Sequence, residues 1–343
     1  MLSAELANED AQSFIRSAAG IALKNALSAR ERTRLLEVQQ KWISQVEPTI
    51  KAQVKDNSLR TLTSNDNRAG TSAAQFIAAI AAIELPRNHW PELMPALVRN
   101  VGEGSDSLKQ SSLTTIGYIC ESEDEDLRLS LNQHSNAILT AVVQGARKEE
   151  SNNDVRYAAM VALGDSLEFV RTNFENDGER NYIMQVICEA TQSSDFRIQQ
   201  AAFGCLNRIM SLYYEKMKFY MEKALFGLTI VGMKNEEEEV AKLAIEFWCT
   251  VCEEESVIED DNAQVSHILG AGRITILTSD SIKPKESLIS GHSSTLLELQ
   301  PPKWYRYYWN SLPSKRKMLA MTSTIFLVPH ISVCSSTRLV LVG

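Results

Sequence analysis

From about residue 13 to residue 264 apolar side chains recur at three- and four-residue spacing, the period of helices that bury one face. The clearest unit passes from an Asp177-Gly178 turn through a first helix, Glu179–Gln192, into a second, Ser193–Tyr214. The same spacing predicts helices over Ser13–Leu27, Gln39–Val46 with Ile50–Leu62, Gly70–Leu85, Trp90–Val101, Leu108–Cys120, Asn136–Ala146, Asp154–Arg171, Tyr220–Met233 and Glu237–Glu254. The chain opens in what reads as the last turns of a helix, closed by Asn8-Glu9-Asp10. Gly70–Leu85 is apolar nearly all round and is therefore expected to be buried. Pro86-Arg87-Asn88 ends it, and Pro91 suits the first turn of the next helix. Asp154 and Asp195 stand where N-caps are expected, at the positive end of the helix dipole.

Aligning the second helix of each pair on its small residues brings Ile15, Gly70, Leu108, Val155, Ile198 and Val240 into register, at intervals of 55, 38, 47, 43 and 42 residues. A helical hairpin repeating every ~40–47 residues has the HEAT/armadillo period. Ile15-Arg16-Ser17-Ala18-Ala19 and Val155-Arg156-Tyr157-Ala158-Ala159 are one pentad, and Ile198-Gln199-Gln200-Ala201-Ala202 keeps all but the arginine. Paired alanines let the two helices of a hairpin approach closely, while flanking Val and Ile bury against the next repeat. The expected fold is all-α: a HEAT/armadillo-type α-solenoid, a right-handed superhelix of roughly five to six hairpins, the first incomplete, over residues 1–264. Residues 265–343 lose the repeat and are expected to form an irregular, disordered tail.

Charge sharpens that division. Residues 265–343 hold nine basic and three acidic residues, net +6, so with −8 for the whole chain the first 264 carry −14. An acidic body argues against nucleic acid as partner and admits a basic protein, although solubility alone explains it equally well. The aromatic and basic cluster Trp304–Trp309 with Lys315-Arg316-Lys317 admits a nucleic-acid or membrane contact, or none if the segment is unstructured. No apolar run reaches the ~18 residues a membrane span needs, and no signal peptide opens the chain, which predicts a soluble intracellular protein without membrane insertion. Cys120, Cys188, Cys205, Cys249 and Cys252 fall at apolar helical positions, as small hydrophobes do in a reducing compartment.

No catalytic constellation is visible. Cys249-Thr250-Val251-Cys252 is a lone CxxC without a second ligand pair, and beside Phe247 and Trp248 it reads as core packing. Glu236–Glu239 and Glu253–Glu255 read as solvated faces, or as contacts for a basic partner. Gly102-Glu103-Gly104 is too short for a phosphate cradle. Neither a metal nor a cofactor is expected, and the chain does not read as an enzyme.

Several stretches carry a narrower resemblance. Ala18–Leu27 (AAGIALKNAL), Ile83-Glu84-Leu85-Pro86, Trp90-Pro91-Glu92-Leu93, Ile116–Glu121 (IGYICE), Ala137–Ala141 (AILTA), Tyr182–Gln192 (YIMQVICEATQ), Ile209–Tyr214 (IMSLYY) and Glu246-Phe247-Trp248 are colinear with one family. Residues 1–264 resemble the N-terminal arch of the importin beta (karyopherin) nuclear transport receptors, in a fungal-like version. The resemblance implies a receptor working in cytoplasm and nucleus and at the nuclear pore. It implies a Phe-Gly nucleoporin site on Leu139, Thr140 and Val143 of one helix and Glu179, Tyr182 and Ile183 of the next. Those spacings, i to i+4 and i to i+3 and i+4, put each set on one helix face. A second, weaker Phe-Gly site falls on Tyr220 and near Leu228. Ran in its GTP form is expected on Ser13–Leu27, Gly70–Leu85 and Leu108–Cys120. The family's first repeat and its later acidic loop have no counterpart in this sequence, and the departure after Gln264 reads as truncation at both ends through an intron or frameshift. Cargo and importin alpha are not expected to bind. Two rival readings stay open at this stage, a generic HEAT scaffold without Phe-Gly selectivity and a non-functional truncated product. The named site residues also fit ordinary packing between repeats.

Overall fold

The computed structural model describes residues 1–122 and 124–276, with side-chain surroundings through residue 258. Contacts set off Met1–Ser266 as one compact unit, apart from His267–Gly343. Among the described residues all regular structure is helical. In chain order the helices are α1 (Leu2–Leu6), α2 (Ser13–Ala26), α3 (Arg32–Gln45), α4 (Pro48–Thr61), α5 (Asn67–Glu84), α6 (Leu93–Glu103), α7 (Asp106–Cys120) and α8 (Glu125–Leu131). They continue with α9 (Ser135–Ala146), α10 (Asn153–Ser166), α11 (Arg171–Glu175), α12 (Asp177–Ala190), α13 (Phe196–Tyr213), α14 (Lys218–Tyr220), α15 (Phe226–Gly232) and α16 (Glu238–Ile276).

These helices form hairpins: α1 with α2, α4 with α5, α6 with α7, α9 with α10 and α12 with α13. The α15–α16 pair closes through the Trp248 indole N–H on the Thr229 hydroxyl, 3.1 Å, and Phe226 edge-on to Trp248. The second helices, α2, α5, α7, α10 and α13, pack successively against one another and are called the inner layer. The first helices, α6, α9 and α12 among them, make the outer layer. Between the layers lie fully buried apolar faces, for example Leu113 and Ile116 of α7, Ile138 and Val142 of α9, and Val155 and Leu163 of α10. Each such side chain stabilises the stack by roughly 1.5–3 kcal/mol.

Small residues set the inner-layer spacing. A Cβ added to Gly20 of α2 would meet Ser72 Cβ of α5 at 2.6 Å, and one on Gly70 of α5 would meet Ser111 Oγ of α7 at 2.8 Å. Ala159 serves its own hairpin as expected, its Cβ lying 2.9 Å from where Gly145 of α9 would carry one. A polar ladder joins the N-terminal ends of successive inner helices. Ser13 donates to Asp66 at 2.9 Å, Ser107 to Asn65 at 3.1 Å, Asn152 to Asp106 at 2.9 Å and Arg197 to Asp154 at 2.9 Å.

The matching pentads do different work. Arg16 is buried, donating to both oxygens of Glu9 (2.7 and 3.0 Å), the Leu6 carbonyl (3.0 Å) and the Ser64 hydroxyl (3.0 Å). Among the described residues Arg156, at the corresponding place, reaches only Asn153, at 3.4 Å. Helix α3 stands outside the pairing and is tied on by Trp42, whose indole N–H donates to buried Glu84 at 2.9 Å. Lys55 neutralises that carboxylate from 2.7 Å, as a buried charge requires.

Several boundaries differ from expectation. The Asp154–Arg171 helix ends at Ser166, and the short α11 follows a turn that ends in Val170. Asn152, not Asp154, caps α10, its side chain accepting from the Asp154 and Val155 amides, while Asp195 does cap α13. Helix α6 starts at Leu93, beyond Pro91. Helix α16 runs on through Gln264 to Ile276, a stretch containing no proline to stop it. Cys249 and Cys252 are exposed rather than packed in the core. The cluster Trp304–Trp309 and Lys315-Arg316-Lys317 lies outside the described residues.

Candidate functional site

Helices α9 and α12 are neighbours in the outer layer, and the six residues of the main sequence-predicted site lie on them. The first turn of α12 is fixed by Asn176, whose Oδ1 accepts from the Gly178 and Glu179 amides at 2.9 and 3.3 Å. Asp177-Gly178 is therefore helix, not the preceding turn. The signal was present in the sequence, since Asn176 followed three residues later by Glu179 has the form of a capping pair. The cap decides where α12 begins, and with it which of its residues face α9.

Leu139, Val143 and Ile183 are buried, the last only 1% exposed, whereas Thr140, Glu179 and Tyr182 are exposed, Tyr182 at 44%. The predicted set thus divides into an apolar base and a polar and aromatic rim. The Thr140 hydroxyl donates to the Asn136 carbonyl at 2.7 Å and keeps its acceptor lone pairs. Side chains link the two helices at both ends. At one, Asn173 Nδ2 donates to Glu179 Oε2 of α12 at 2.6 Å and to Asn136 Oδ1 of α9 at 2.7 Å. At the other, Lys148 Nζ meets Glu189 Oε1 at 3.2 Å. The hydrogen bond from Gln185, helped by Lys148, holds the Glu189 carboxyl below its usual range. Sequence reasoning missed Asn173, because no periodicity marks a bridging residue on a short helix.

Tyr220, by contrast, is buried and donates to Asn181 of α12, and Leu228 is half-buried on α15. A π-helical turn, Met221–Leu225, separates them. Phe219, edge-on to Tyr220 at 5.4 Å, is the exposed aromatic here at 58%. On α2, Phe14, Ala18 and Ile21 are exposed at i, i+4 and i+7, an uncovered apolar stripe.

Among the described residues no group of three or more His, Cys, Asp or Glu is placed to hold a metal, and no helix is long and apolar enough to cross a membrane. Burial pushes the Cys188 thiol up to about 11 and that of Cys205 up to about 12, far from a reactive thiolate.

Stacked hairpins, a small-residue inner layer and an outer face with apolar base and polar rim define an all-α solenoid of the HEAT/armadillo type, a binding scaffold. No family model matches the chain. Importin subunit beta-1 of Schizosaccharomyces pombe is 62% identical over 256 residues, 74% of this chain and 29% of that protein. Its Saccharomyces cerevisiae counterpart is 50% identical over 250 residues, 73% of this chain and 29% of that protein. A crystal structure of importin beta in an ammonium sulfate condition superimposes with a TM-score of 0.74 at 68% identity, covering 77% of this chain and 30% of that one. A Kap95:Nup1 complex (TM-score 0.69, 44% identity) and Kap95p with RanGDP (0.68, 42%) each align over 84% of this chain and 32% of theirs. The chain thus spans less than a third of the curated relatives it matches. Its repeat region belongs to the importin beta family.

Proposed function

We propose that the repeat region is a nuclear import receptor segment that binds Phe-Gly nucleoporin peptides between α9 and α12. The observation that carries this reading is the exposed rim of Thr140, Glu179 and Tyr182 above the buried Leu139, Val143 and Ile183. A phenylalanine ring entering beside Tyr182 reaches the apolar base, and Thr140 and Glu179 supply acceptors for the peptide's backbone N–H groups. Kap95, a yeast importin beta, forms a complex with Nup1, and its binding alters the switch loops of RanGDP. Homology to importin beta supports a role in nucleocytoplasmic protein transport, in cytoplasm and nucleus and at the pore, rather than in catalysis. The exposed stripe Phe14, Ala18 and Ile21 supports a second contact, with Ran in its GTP form, on α2, α5 and α7. A weaker peptide site near Tyr220 and Leu228 requires an opening beside the π turn, with Phe219 as its exposed aromatic.

The test is titration of the chain with a Phe-Gly repeat peptide beside Tyr182→Ala. Tyr182 is 44% exposed, so the variant should fold with its melting temperature nearly unchanged and bind about tenfold more weakly, the loss expected for one rim aromatic. Ile183→Asp is the harsher variant, because a carboxylate at a position only 1% exposed also destabilises the repeat. Absence of saturable binding by the folded wild type would remove the reading and leave a generic repeat scaffold.

A further inference from the structure

Asn173 is 6% exposed and sits on α11, between α10 and α12. Its neighbour Phe174 is fully buried and stacks on Tyr213 of α13 with ring centroids 4.1 Å apart. The Phe174 carbonyl accepts from Arg180 of α12 at 2.7 Å. Helix α11 is therefore anchored to both α12 and α13, and Asn173 is held in place before any ligand arrives. Both amide hydrogens are spent, one on Glu179 Oε2 at 2.6 Å and one on Asn136 Oδ1 at 2.7 Å. The amide orientation is forced, because an ionised carboxylate only accepts. That orientation leaves Asn173 Oδ1 buried without a protein partner among the described residues. The other Glu179 oxygen takes no protein donor among the described residues.

We propose that Asn173 is a positioning residue for the α9–α12 site: it clamps one Glu179 oxygen so that the other is preset to accept a backbone N–H of the bound peptide, and it ties the first turns of α9 and α12 together. This rests on the peptide-binding reading above. Without the clamp, Glu179 is an exposed side chain that loses rotamer freedom on binding.

The experiment compares the full chain with Asn173→Asp, Glu179→Gln and the double variant, each titrated with one Phe-Gly repeat peptide and each melted to verify folding. Asn173→Asp sets a carboxylate against Glu179 in place of the donating amide and should weaken binding about tenfold at neutral pH. Glu179→Gln should also weaken binding, because Asn173 fixes the new amide's oxygen and leaves an N–H facing the peptide. In the double variant the roles exchange: the amide N–H at position 179 donates to the carboxylate introduced at position 173, and the amide oxygen is freed for the peptide. The double should therefore bind more tightly than either single. That comparison still stands against Glu179→Gln if Asn173→Asp alone fails to fold. A double no better than Glu179→Gln, or an Asn173→Asp that binds as wild type, overturns the clamp while peptide binding survives. A folded wild type that binds no peptide overturns the function reading and the clamp together.

Discussion

The inner and outer layers of the repeat unit are built from the same hairpins and packed by different rules. Inner helices meet through backbone and small side chains: Gly20 against Ser72, Gly70 against Ser111, Gly164 against Cys205. Polar links occur at helix ends in both layers, Arg197 to Asp154 in the inner one, but α9 and α12 are joined there through a third helix, Asn173 of α11 reaching Asn136 and Glu179, and by Lys148 to Glu189. Close backbone approach leaves no room for a ligand between the helices and fixes the stacking. A contact made by side chains leaves rim positions such as Tyr182 exposed over an apolar base. The layer that determines how repeats stack is thus not the layer that offers the candidate site, so changes in one need not disturb the other.

A matched glycine pair is the strongest way to break this comparison. Gly20→Ala pushes a Cβ to 2.6 Å from Ser72 Cβ and 3.2 Å from the Ser72 backbone carbon, and should destabilise the fold by about 2 kcal/mol. Gly102→Ala, near the end of outer helix α6, meets nothing within 4 Å and should stabilise by about 0.5 kcal/mol through helix propensity. Urea unfolding of both variants measures the difference, and equal midpoints would mean that the inner layer yields as readily as the outer. Next in size is the inner-layer cap. Asp195→Ala removes the acceptor of the Arg197 amide and the carboxylate gripped by the Arg197 guanidinium at 2.7 Å, a loss of about 1 kcal/mol at neutral pH.

The smallest expected effect is a slope with pH. Burial, offset by Arg208 and reinforced by Glu121, pushes Asp165 of α10 up to about 6. The native state then binds this proton more tightly than the unfolded chain, so the group's contribution to stability rises as pH falls below about 6. Asp195 has the opposite sign. The hydrogen bond from Arg197 holds its carboxyl low, so its contribution is present above the unfolded-state value and is lost as pH falls through the folded one. Asp165→Asn should flatten the stability curve between its ordinary range and about 6, while Asp195→Ala should remove part of the decline at lower pH. Melting temperatures across that window separate the two.

Much of the layering was legible in the chain because burial enforces periodicity. Gly70–Leu85 is apolar all round and lies almost wholly inside as α5, and the six register positions from Ile15 to Val240 all fall on the second helices of their hairpins. Ends were less legible. Asn152 caps α10 where Asp154 was expected to, and Asn176 caps α12 one residue before the expected Asp177-Gly178 turn, since neighbouring polar residues compete for one cap and the winner depends on the preceding loop. Cys249 and Cys252 show the same limit on α16: Phe247 is fully buried, but turning along the helix brings both thiols out.

By itself the sequence determined the repeat period, the helical class and the family, because each is written in short-range spacing and local residue identity. Tertiary structure alone decided which members of a shared pattern carry an interaction. Arg16 and Arg156 occupy the same place in matching pentads, yet only Arg16 closes onto a carboxylate and a carbonyl, supplied by Glu9 and Leu6. Asn173 became a bridge only when α9, α11 and α12 met around it. A hydrogen bond between residues 37 positions apart leaves no mark on local periodicity, and its geometry exists only once the helices have packed.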